Sequence, residues 1–223
     1  ASSIAAEVPR YSFELTEGGP IQLDWLANEG AYIQISGPLG VIFDGYVSSD
    51  TTSLMSTWAP TGHYELYVTG APESSFAFTV RTSAQADQVT LDTPFNTTLA
   101  DDRAAAFVQA QVQANKYYVL EPSVDLPSGL YYNAYGPSGE QLNSGSFEPG
   151  QKISFYTEFP GQLTLVFFRQ GNAPKVAQAI AFELTESTAP VDVRRNLGTL
   201  PSNAETTTEF TFETQYQWAV IEF

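Results

Sequence analysis

The sequence predicts an all-β protein made of two tandem antiparallel β-sandwich (jelly-roll-like) domains, followed by a C-terminal strand segment of an incomplete third unit. Two observations predict this fold class: an internal repeat with an offset of 99 residues, and an alternation of apolar and polar side chains broken by glycine–proline turns. A repeat of this length indicates one small domain used twice. Alternation with a period of two is typical of half-buried strands.

The repeat is a G-x-Y-x-x-x-x-G-P-x-G motif that occurs twice. Its first copy covers residues 30–40 and its second copy covers 129–139. The correspondence continues to Gly62 and Gly161, each of which stands before an alternating, strand-like segment. A motif with glycine at fixed positions indicates the same turns in both copies, because glycine adopts backbone conformations that other residues avoid.

The offset divides the chain into three parts. Unit 1 is placed at 1–87 and unit 2 at 88–190. The segment 191–223 is interpreted either as the start of a third unit or as a strand extension that packs on unit 2. An isolated hairpin is marginally stable in water, so this last segment is expected to pair with a sheet.

Strands are expected wherever the alternation is clean. In unit 1 they are predicted around residues 11–15, 21–25, 32–36, 64–68 and 76–80. In unit 2 they are predicted around residues 117–120, 130–135, 153–157, 163–167 and 179–184. The run Ala104 to Val112 contains helix-forming residues, but its alternation continues through Val108, Ala110 and Val112, so it is also predicted as a strand.

Charge narrows the possible partners. The chain carries 9 Lys and Arg against 25 Asp and Glu, a formal net charge of −16. A field of this sign repels nucleic acid and anionic membrane surfaces and attracts cations. The absence of cysteine excludes disulfides and thiolate metal sites. Only 15% of residues are charged. A surface of uncharged polar residues favours an extracellular or bacterial cell-surface location, and no membrane insertion is expected.

Several segments resemble the bacterial pre-peptidase C-terminal module. That family has a Y-x-F strand, a P-x-G turn followed by apolar residues, a G-T-Y-T-L-x-V strand, a closing Y-x-F strand and an acidic loop after a P-x-x-G-x-L strand. The matching segments of this chain are Tyr11–Phe13 with Gly18, residues 37–43, 62–68 and 76–78, and the Thr93–Leu99 strand with its acidic turn 100–102 before Phe107.

The resemblance implies a jelly-roll-like β-sandwich that is attached to a secreted peptidase or strung in arrays in a surface protein. Some members bind Ca²⁺ or polymers such as collagen. We therefore expect a non-catalytic, structural or adhesive extracellular segment of a bacterial secreted or cell-surface protein. Its expected partners are a polysaccharide or protein polymer and neighbouring repeats of a longer chain. The alternative is a pair of carbohydrate- or polymer-binding modules attached to a secreted hydrolase.

Catalytic chemistry has little support in the sequence. His63 is the only histidine, and glutamine takes its place in unit 2 at Gln162. There is no G-x-S-x-G motif to supply a nucleophile. One histidine without cysteine gives no zinc ligand set. The sequence therefore predicts that the protein is not an enzyme and that His63 lies solvated at a strand entry.

Calcium is the one cofactor that the acidic residues of this chain could bind. Asp101 and Asp102 form an acidic pair, and Asp44, Asp50 and Thr51 flank another strand-like segment. Calcium needs several oxygens that converge from one loop, and neither group has the D-x-D-x-D-G spacing. Asp101 and Asp102 are the candidate Ca²⁺ ligands, and exposed turn carboxylates are the alternative interpretation.

Aromatic residues supply the candidate ligand-binding residues. Flat rings bind polymers when they are exposed together. The candidate residues for such a platform are Trp25, Trp58, Tyr46, Tyr131, Tyr132 and Tyr135. Trp58, Tyr46 and Tyr135 are the predicted ligand-binding residues, because Trp58 stands beside Pro60 and Tyr135 precedes a glycine–proline turn. Tyr32 and Tyr131 recur at the repeat offset and are expected to pack the same core edge twice.

Overall fold

The computed structural model describes residues 10–25, 30–47, 54–69, 78–123, 129–169 and 176–187. The predicted third-unit segment 191–223 lies outside the described residues, as do Asp50 and Thr51. Within the described residues the regular structure is strand, apart from the short 3₁₀ helix Ser83–Gln85. The prediction of an all-β fold is confirmed, and the ambiguous run that ends at Val112 is a strand.

The strands fall into two sets along the chain. The first set comprises β1 (Arg10–Leu15), β2 (Gly19–Trp25), β3 (Ala31–Gly37), β4 (Gly40–Val47), β5 (Leu54–Ala59), β6 (Gly62–Thr69) and β7 (Phe78–Thr82). The second set comprises β8 (Asp87–Val89), β9 (Phe95–Leu99), β10 (Ala105–Val112), β11 (Lys116–Pro122), β12 (Leu130–Tyr135), β13 (Gln141–Phe147), β14 (Ile153–Thr157), β15 (Gly161–Arg169) and β16 (Gln178–Ser187).

The two sets build the same pair of sheets. Among the described strands, the first set forms a four-stranded sheet of order β1-β6-β3-β4 and a three-stranded sheet of order β5-β2-β7. The second set repeats both orders as β10-β15-β12-β13 and β14-β11-β16, and adds β8 and β9 at their edges. In the following, unit 1 means the sheets of β1–β7 and unit 2 the sheets of β8–β16.

Local irregularities also recur at the repeat offset. The pairing of β3 with β4 shifts register between Ile35 and Ser36, and the pairing of β12 with β13 shifts between Ala134 and Tyr135. A bulge of this kind bends a strand and strengthens its twist. The duplicated motif therefore encodes a shared backbone geometry as well as a shared strand order.

One pairing departs from the predicted antiparallel sheets. Strand β8 runs parallel to β10, with Gln88 opposite Gln109. The chain leaves β8, crosses to the opposite sheet to form β9, and returns to the first sheet as β10. A connection that crosses the sandwich in this way brings the chain back in its original direction, so the two strands are parallel.

Each unit has its own apolar interior between its two sheets. The interior of unit 1 is built on Ile21, Leu23, Ile33, Ile35, Tyr64, Leu66 and Val68 with their neighbours. The interior of unit 2 is larger and is rich in aromatic rings, among them Tyr118, Tyr132, Phe147, Phe155, Phe167 and Phe182. Alternation along each strand places these side chains on one face and leaves the other face for contacts outside the sandwich.

Candidate functional site

A small apolar cluster joins the outside of unit 2 to unit 1. Trp58, near the end of β5, packs against Tyr135 of β12, with ring centroids 6.1 Å apart and planes at 40°. The buried members of this cluster are Ala105, Phe107, Tyr135 and Val166, and the partly buried ones are Trp58, Ala86 and Phe168. We call this set the inter-unit cluster. Its unit 2 members lie on the outer face of the β10-β15-β12-β13 sheet, and Trp58 of unit 1 packs on them.

Gly139 makes room for the tryptophan. Gly139 lies in the turn between β12 and β13 with φ +93, and a Cβ atom built there would lie 2.5 Å from Cε2 of Trp58. Such a distance is far inside van der Waals contact. Glycine at this position therefore serves two purposes, since it adopts a left-handed backbone and lets the indole approach the turn.

A buried carboxylate forms the polar half of the same contact. Asp24 of β2 is buried, pairs with Arg81 of β7, and accepts a hydrogen bond from the backbone N–H of Ala104 at 3.0 Å. Burial raises the pKa of Asp24, while the Arg81 guanidinium and the Ala104 N–H pull that pKa downward. Because Ala104 belongs to unit 2, the carboxylate of unit 1 ties the two units together beside the inter-unit cluster.

Arg169 holds the loop that carries Ala104. Its side chain is fully buried at the end of β15, and its guanidinium donates to the carbonyl oxygens of Leu99, Ala100, Arg103 and Val176 at 2.6–2.9 Å. Burial lowers the pKa of Arg169, and the negative charges of Asp101 and Asp24 oppose that shift. Arg169 binds the main-chain carbonyl groups of the turn, so the side chains of the turn remain at the protein surface.

The candidate Ca²⁺ ligands Asp101 and Asp102 lie in that turn with exposed side chains. The described residues contain no group of three or more His, Cys, Asp or Glu side chains placed to hold a metal ion. The guanidinium of Arg169 already lies near Asp101, and a cation in that position disfavours a second one. Binding of Ca²⁺ by Asp101 and Asp102 stays a prediction.

Two of the three predicted ligand-binding rings lie in the inter-unit contact. Tyr135 is only 3% exposed, so the expectation that it presents its ring to solvent is wrong. Trp58 is partly buried on Tyr135. The reason is that unit 1 covers this part of the unit 2 sheet. Tyr46 is different: 68% of its surface is exposed on the outer edge of unit 1.

Tyr46 belongs to a ring-bearing surface on unit 1. On the outward face of the β1-β6-β3-β4 sheet, Tyr32 lies directly opposite Tyr46, and Tyr67 lies opposite both Gln34 and Arg10. Tyr32 and Tyr46 are exposed and Tyr67 is half-buried. We name this surface the tyrosine face and define it by Arg10, Tyr32, Asp44, Tyr46, Glu65 and Tyr67.

Charged neighbours orient the rings of the tyrosine face. The hydroxyl of Tyr32 bonds to Asp44, and that bond raises the pKa of Tyr32. The hydroxyl of Tyr67 donates to Glu65, which raises the pKa of Tyr67. The guanidinium of Arg10 lies 5.1 Å from the centre of the Tyr67 ring, within the range of cation–π attraction. The surface thus combines flat rings with fixed hydrogen-bonding groups.

Equivalent positions of the two units carry opposite chemistry. In unit 2, Phe107 pairs with Val166, and both lie in the inter-unit cluster. In unit 1, the equivalent pair is Arg10 with Tyr67, and it belongs to the tyrosine face. The outer face of this sheet is therefore apolar in unit 2, where unit 1 covers it. The equivalent face in unit 1 is exposed, and it carries polar side chains and tyrosine rings.

The expectation that Tyr32 and Tyr131 pack a core edge twice is wrong. Tyr32 is exposed and Tyr131 is half-buried, and both point away from the interior of their sandwich. Their neighbours Ile33 and Tyr132 fill the interior instead. The shared tyrosine therefore marks an equivalent position on the outer face of each unit.

His63 lies on the same sheet, near the start of β6. Its side chain is exposed, and its Nδ1 is 2.7 Å from Glu14 Oε1 on the neighbouring strand β1. An exposed side-chain contact between adjacent strands contributes little to the free energy of unfolding. The histidine is thus solvated at the start of a strand, as expected.

Sequence reasoning missed Asp24, Arg81 and Arg169. Two of the three, Asp24 and Arg169, have a sequence signal that is visible afterwards. Asp24 interrupts the apolar run between Leu23 and Trp25, and Arg169 ends the apolar strand that follows Gly161. A lone charge in such a run is rarely buried without a partner, so it points to a specific contact.

A cavity within unit 1 is too small for an organic ligand. It has a volume of about 10 Å³ and lies between the sheets, where Ile21, Leu23 and Ile35 are among its walls. A space of this size holds about one water molecule. Among the described residues, surfaces are therefore better candidates for binding than interior cavities.

Several solved structures of other proteins align with this chain. The pre-peptidase C-terminal domain of a collagenase from Bacillus anthracis aligns with 45% of this chain and 95% of its own length, at 13% identity and a TM-score of 0.38.

Two further structures are similar over most of the chain. The catalytic domain of Clostridium perfringens ZmpB with its CBM51-1 and CBM51-2 domains aligns with 81% of this chain at 8% identity and a TM-score of 0.27, and this chain spans 34% of its length. A turret protein in Sulfolobus turreted icosahedral virus aligns with 80% of this chain and 91% of its own length, at 10% identity and a TM-score of 0.25.

At these identities and scores, none of the three structures assigns an activity, ligand or partner. No protein-family model matches the chain, and no curated protein matches it either. Among the described residues, no helix is long and apolar enough to cross a membrane.

Proposed function

We propose that this chain is a non-catalytic structural and adhesive segment of a bacterial secreted or cell-surface protein. One observation carries the proposal: the two sandwiches are held together by the Trp58–Tyr135 contact and the Asp24–Ala104 hydrogen bond. A packed contact of this kind stiffens a connection that a flexible linker would leave mobile. A stiff pair of sandwiches suits a segment that spaces and presents a binding surface.

The tyrosine face is the surface that such a segment would present. Tyr32 and Tyr46 stand side by side on neighbouring strands, with Asp44 bonded to one of them. Tyrosine supplies a large contact area with little loss of side-chain freedom, and its hydroxyl adds a polar contact. The proposed partners are a polysaccharide or a protein polymer, because an open sheet face with exposed rings offers contacts along the length of an extended chain.

The second candidate is a carbohydrate- or polymer-binding module pair attached to a secreted hydrolase. The exposed ring pair Tyr32–Tyr46 favours it, since hydroxyl and carboxylate groups beside flat rings can hydrogen-bond sugar hydroxyls. The two candidates differ in what they bind: soluble or insoluble glycans for the module pair, and a polysaccharide or a protein polymer for the structural and adhesive segment.

Binding assays on immobilised polymers test the proposal. The protein is mixed with insoluble polysaccharides and with collagen, and the bound fraction is measured for the wild type and for a Tyr32→Ala/Tyr46→Ala variant. Tyr131→Ala is the matched control, because Tyr131 is the unit 2 equivalent of Tyr32. We expect loss of binding in the unit 1 variant alone. Equal binding by all three proteins would contradict an adhesive role for the tyrosine face.

Location is tested separately. An antibody against the chain is applied to intact cells of its source before and after external protease treatment. Surface labelling that protease removes, or antigen in the culture medium, is the expected result. Antigen that appears only after cell lysis would overturn the secreted or surface assignment.

A further inference from the structure

The tyrosine face has a cationic end and an anionic end. The register of the sheet aligns Arg10, Tyr67, Gln34 and Asp44 across β1, β6, β3 and β4, in that order. The strands β1 and β4 are three strand spacings apart, about 14 Å. That separation exceeds the screening length of about 8 Å at physiological salt. The carboxylate of Asp44 is therefore not neutralised by Arg10.

One ring of the tyrosine face already has a cation of the protein, and two rings do not. The guanidinium of Arg10 lies 5.1 Å from the centre of the Tyr67 ring, which is a cation–π distance. Tyr32 and Tyr46, which lie opposite each other on β3 and β4, are 44% and 68% exposed. Within the described ranges, no arginine or lysine lies over either of these two rings. Both rings are therefore accessible to a cation of another molecule.

The carboxylate beside these two rings also has no cationic partner in the described part of the chain. Asp44 accepts a hydrogen bond from the hydroxyl of Tyr32, which holds the carboxylate next to that ring. A carboxylate has about four lone-pair sites, so this bond leaves the others for further donors. No ion pair among the described residues includes Asp44. Two exposed rings and one carboxylate thus form a surface complementary to an ammonium group.

We propose that the tyrosine face binds a polysaccharide of amino sugars that carry free ammonium groups. The pyranose rings lie on Tyr32 and Tyr46, and an ammonium group contacts the carboxylate of Asp44. The formal charge of −16 attracts such a polycation to the chain. This inference rests on the proposed function, and it specifies the chemical class of polymer that the tyrosine face binds.

The position of the rings in the sheet favours a polysaccharide over a lysine-rich protein. Tyr32 and Tyr67 lie on β3 and β6, the two inner strands, which are paired on both sides. An extended peptide binds a sheet through main-chain hydrogen bonds at an edge strand, and inner strands have no main-chain groups to spare. Peptide groups placed on this face would lose water without gaining partners. A polysaccharide has no amide backbone, and its hydroxyl groups can bond to side chains such as Gln34.

Isothermal titration calorimetry with three oligosaccharides tests the proposal. Linear oligomers of glucosamine, N-acetylglucosamine and glucose with the same linkage and length differ only in the substituent beside the anomeric carbon. Each is titrated into the full chain at a mildly acidic pH, where the glucosamine amines are charged. We expect the glucosamine oligomer to bind about fivefold more tightly than the other two, the effect of a favourable exposed charge pair. Added NaCl should reduce that preference.

Variants separate the charge of Asp44 from the charge of the whole chain. Asp44→Asn keeps the size of the side chain and removes its charge, so it should abolish the preference for the glucosamine oligomer. Glu158→Gln is the matched control, because it removes one charge from an exposed position of unit 2, and it should retain the preference. Tyr32→Ala/Tyr46→Ala should lose binding of all three oligomers. Circular dichroism verifies that each variant is folded.

The outcomes distinguish this inference from the proposed function. Equal binding of the three oligomers by the wild type, with loss of binding in Tyr32→Ala/Tyr46→Ala, overturns the ammonium preference and leaves polymer binding in place. A preference that survives in Asp44→Asn overturns the proposed site. Tighter binding of polylysine than of the glucosamine oligomer would assign the face to a protein partner and overturn the polysaccharide. Absence of binding to any polymer overturns both proposals.

Carbodiimide coupling provides a second measurement that locates the bound amine. The reagent activates a carboxylate, a neighbouring glucosamine amine forms an amide with it, and the carbodiimide takes up the released water as a urea. Mass spectrometry of the digested protein is expected to find the product mainly at Asp44, and the Tyr32→Ala/Tyr46→Ala variant should lose that product. Coupling spread evenly over the exposed carboxylates would overturn the proposed position of the ammonium group.

Discussion

The carboxylate of Asp24 accepts a hydrogen bond from the backbone N–H of Ala104 at 3.0 Å, across a sequence separation of 80 residues. The bond joins a strand of unit 1 to the loop before β10 of unit 2. The same carboxylate pairs with Arg81, so one buried side chain satisfies a cation of its own unit and a main-chain donor of the other. The connection between the units therefore depends on a polar group as well as on apolar packing.

Replacement of Asp24 by alanine is expected to destabilise the protein strongly. The change leaves the largely buried Arg81 without its carboxylate and the Ala104 N–H without its acceptor. Removal of one partner from a buried ion pair lowers the free energy of unfolding by about 3–5 kcal/mol. Urea unfolding measures the change. Glu14→Gln, which breaks the exposed pair with His63, is the control and should have little effect.

The pH dependence of stability should report the burial of Asp24. Burial raises the pKa of Asp24 in the folded protein above its ordinary value of 3.8. Between those two values the folded state binds more protons than the unfolded state, so the proton-linked part of the contribution of Asp24 to stability is complete below about pH 3.8 and is lost as pH rises through the folded pKa. The hydrogen bonds of the carboxylate with Arg81 and Ala104 remain above that pH. The Asp24→Asn variant lacks this titration.

The measurement compares urea unfolding of the wild type and Asp24→Asn at several pH values across the acid range. The free energy of unfolding of the wild type, relative to the variant, should decrease as pH rises from about 3.8. An increase over the same range would mean that Arg81 and Ala104 lower the pKa more than burial raises it.

Alanine at Gly139 is expected to disturb the inter-unit contact. Both Gly139 and Gly40 have a left-handed backbone, which disfavours alanine by about 1–2 kcal/mol. Only at Gly139 does the new Cβ meet an indole, that of Trp58, at 2.5 Å. Gly139→Ala should therefore lower the urea midpoint more than Gly40→Ala, and it should change the tryptophan fluorescence. Equal effects of the two variants would show that Trp58 moves aside without loss of stability.

Methionine at Arg169 tests the role of the buried guanidinium. The change removes the donor to the carbonyl oxygens of Leu99, Ala100, Arg103 and Val176. Each buried acceptor left without a donor destabilises by about 1–3 kcal/mol, so loss of at least about 3 kcal/mol is expected in urea unfolding. Lysine should rescue only part of the loss, because an ammonium group lacks the planar fork of arginine. Full stability in Arg169→Met would contradict this role.

The internal repeat predicted much of the fold. The glycine–proline motif recurs at one offset, and the sheets it belongs to recur in the same order with the same bulge in the β3–β4 and β12–β13 pairings. The reason is local: Gly62 and Gly161 both need a positive φ, 140° and 141°, and period-two alternation fixes which side chains face the core. Neither the positive φ of these glycines nor the alternation depends on contacts with the other unit.

The sequence could not show which of the candidate binding residues are exposed and which are buried. Tyr46 and Tyr135 both stand in alternating strands, yet one is exposed and the other is buried. Alternation predicts which side chains point away from the interior of their own sandwich. It does not predict whether the other sandwich covers those side chains. That difference depends on Trp58, which approaches Tyr135 from a distant part of the chain.

The sequence by itself determined the β class, the duplication and the alternation of inward-facing and outward-facing side chains, because turn glycines and alternation act between residues that are close along the chain. Only the tertiary structure decided which outer sheet face is covered and which is open. The contacts responsible, Asp24 with Ala104 and Trp58 with Gly139, join residues about 80 positions apart, and the folding of each unit places them.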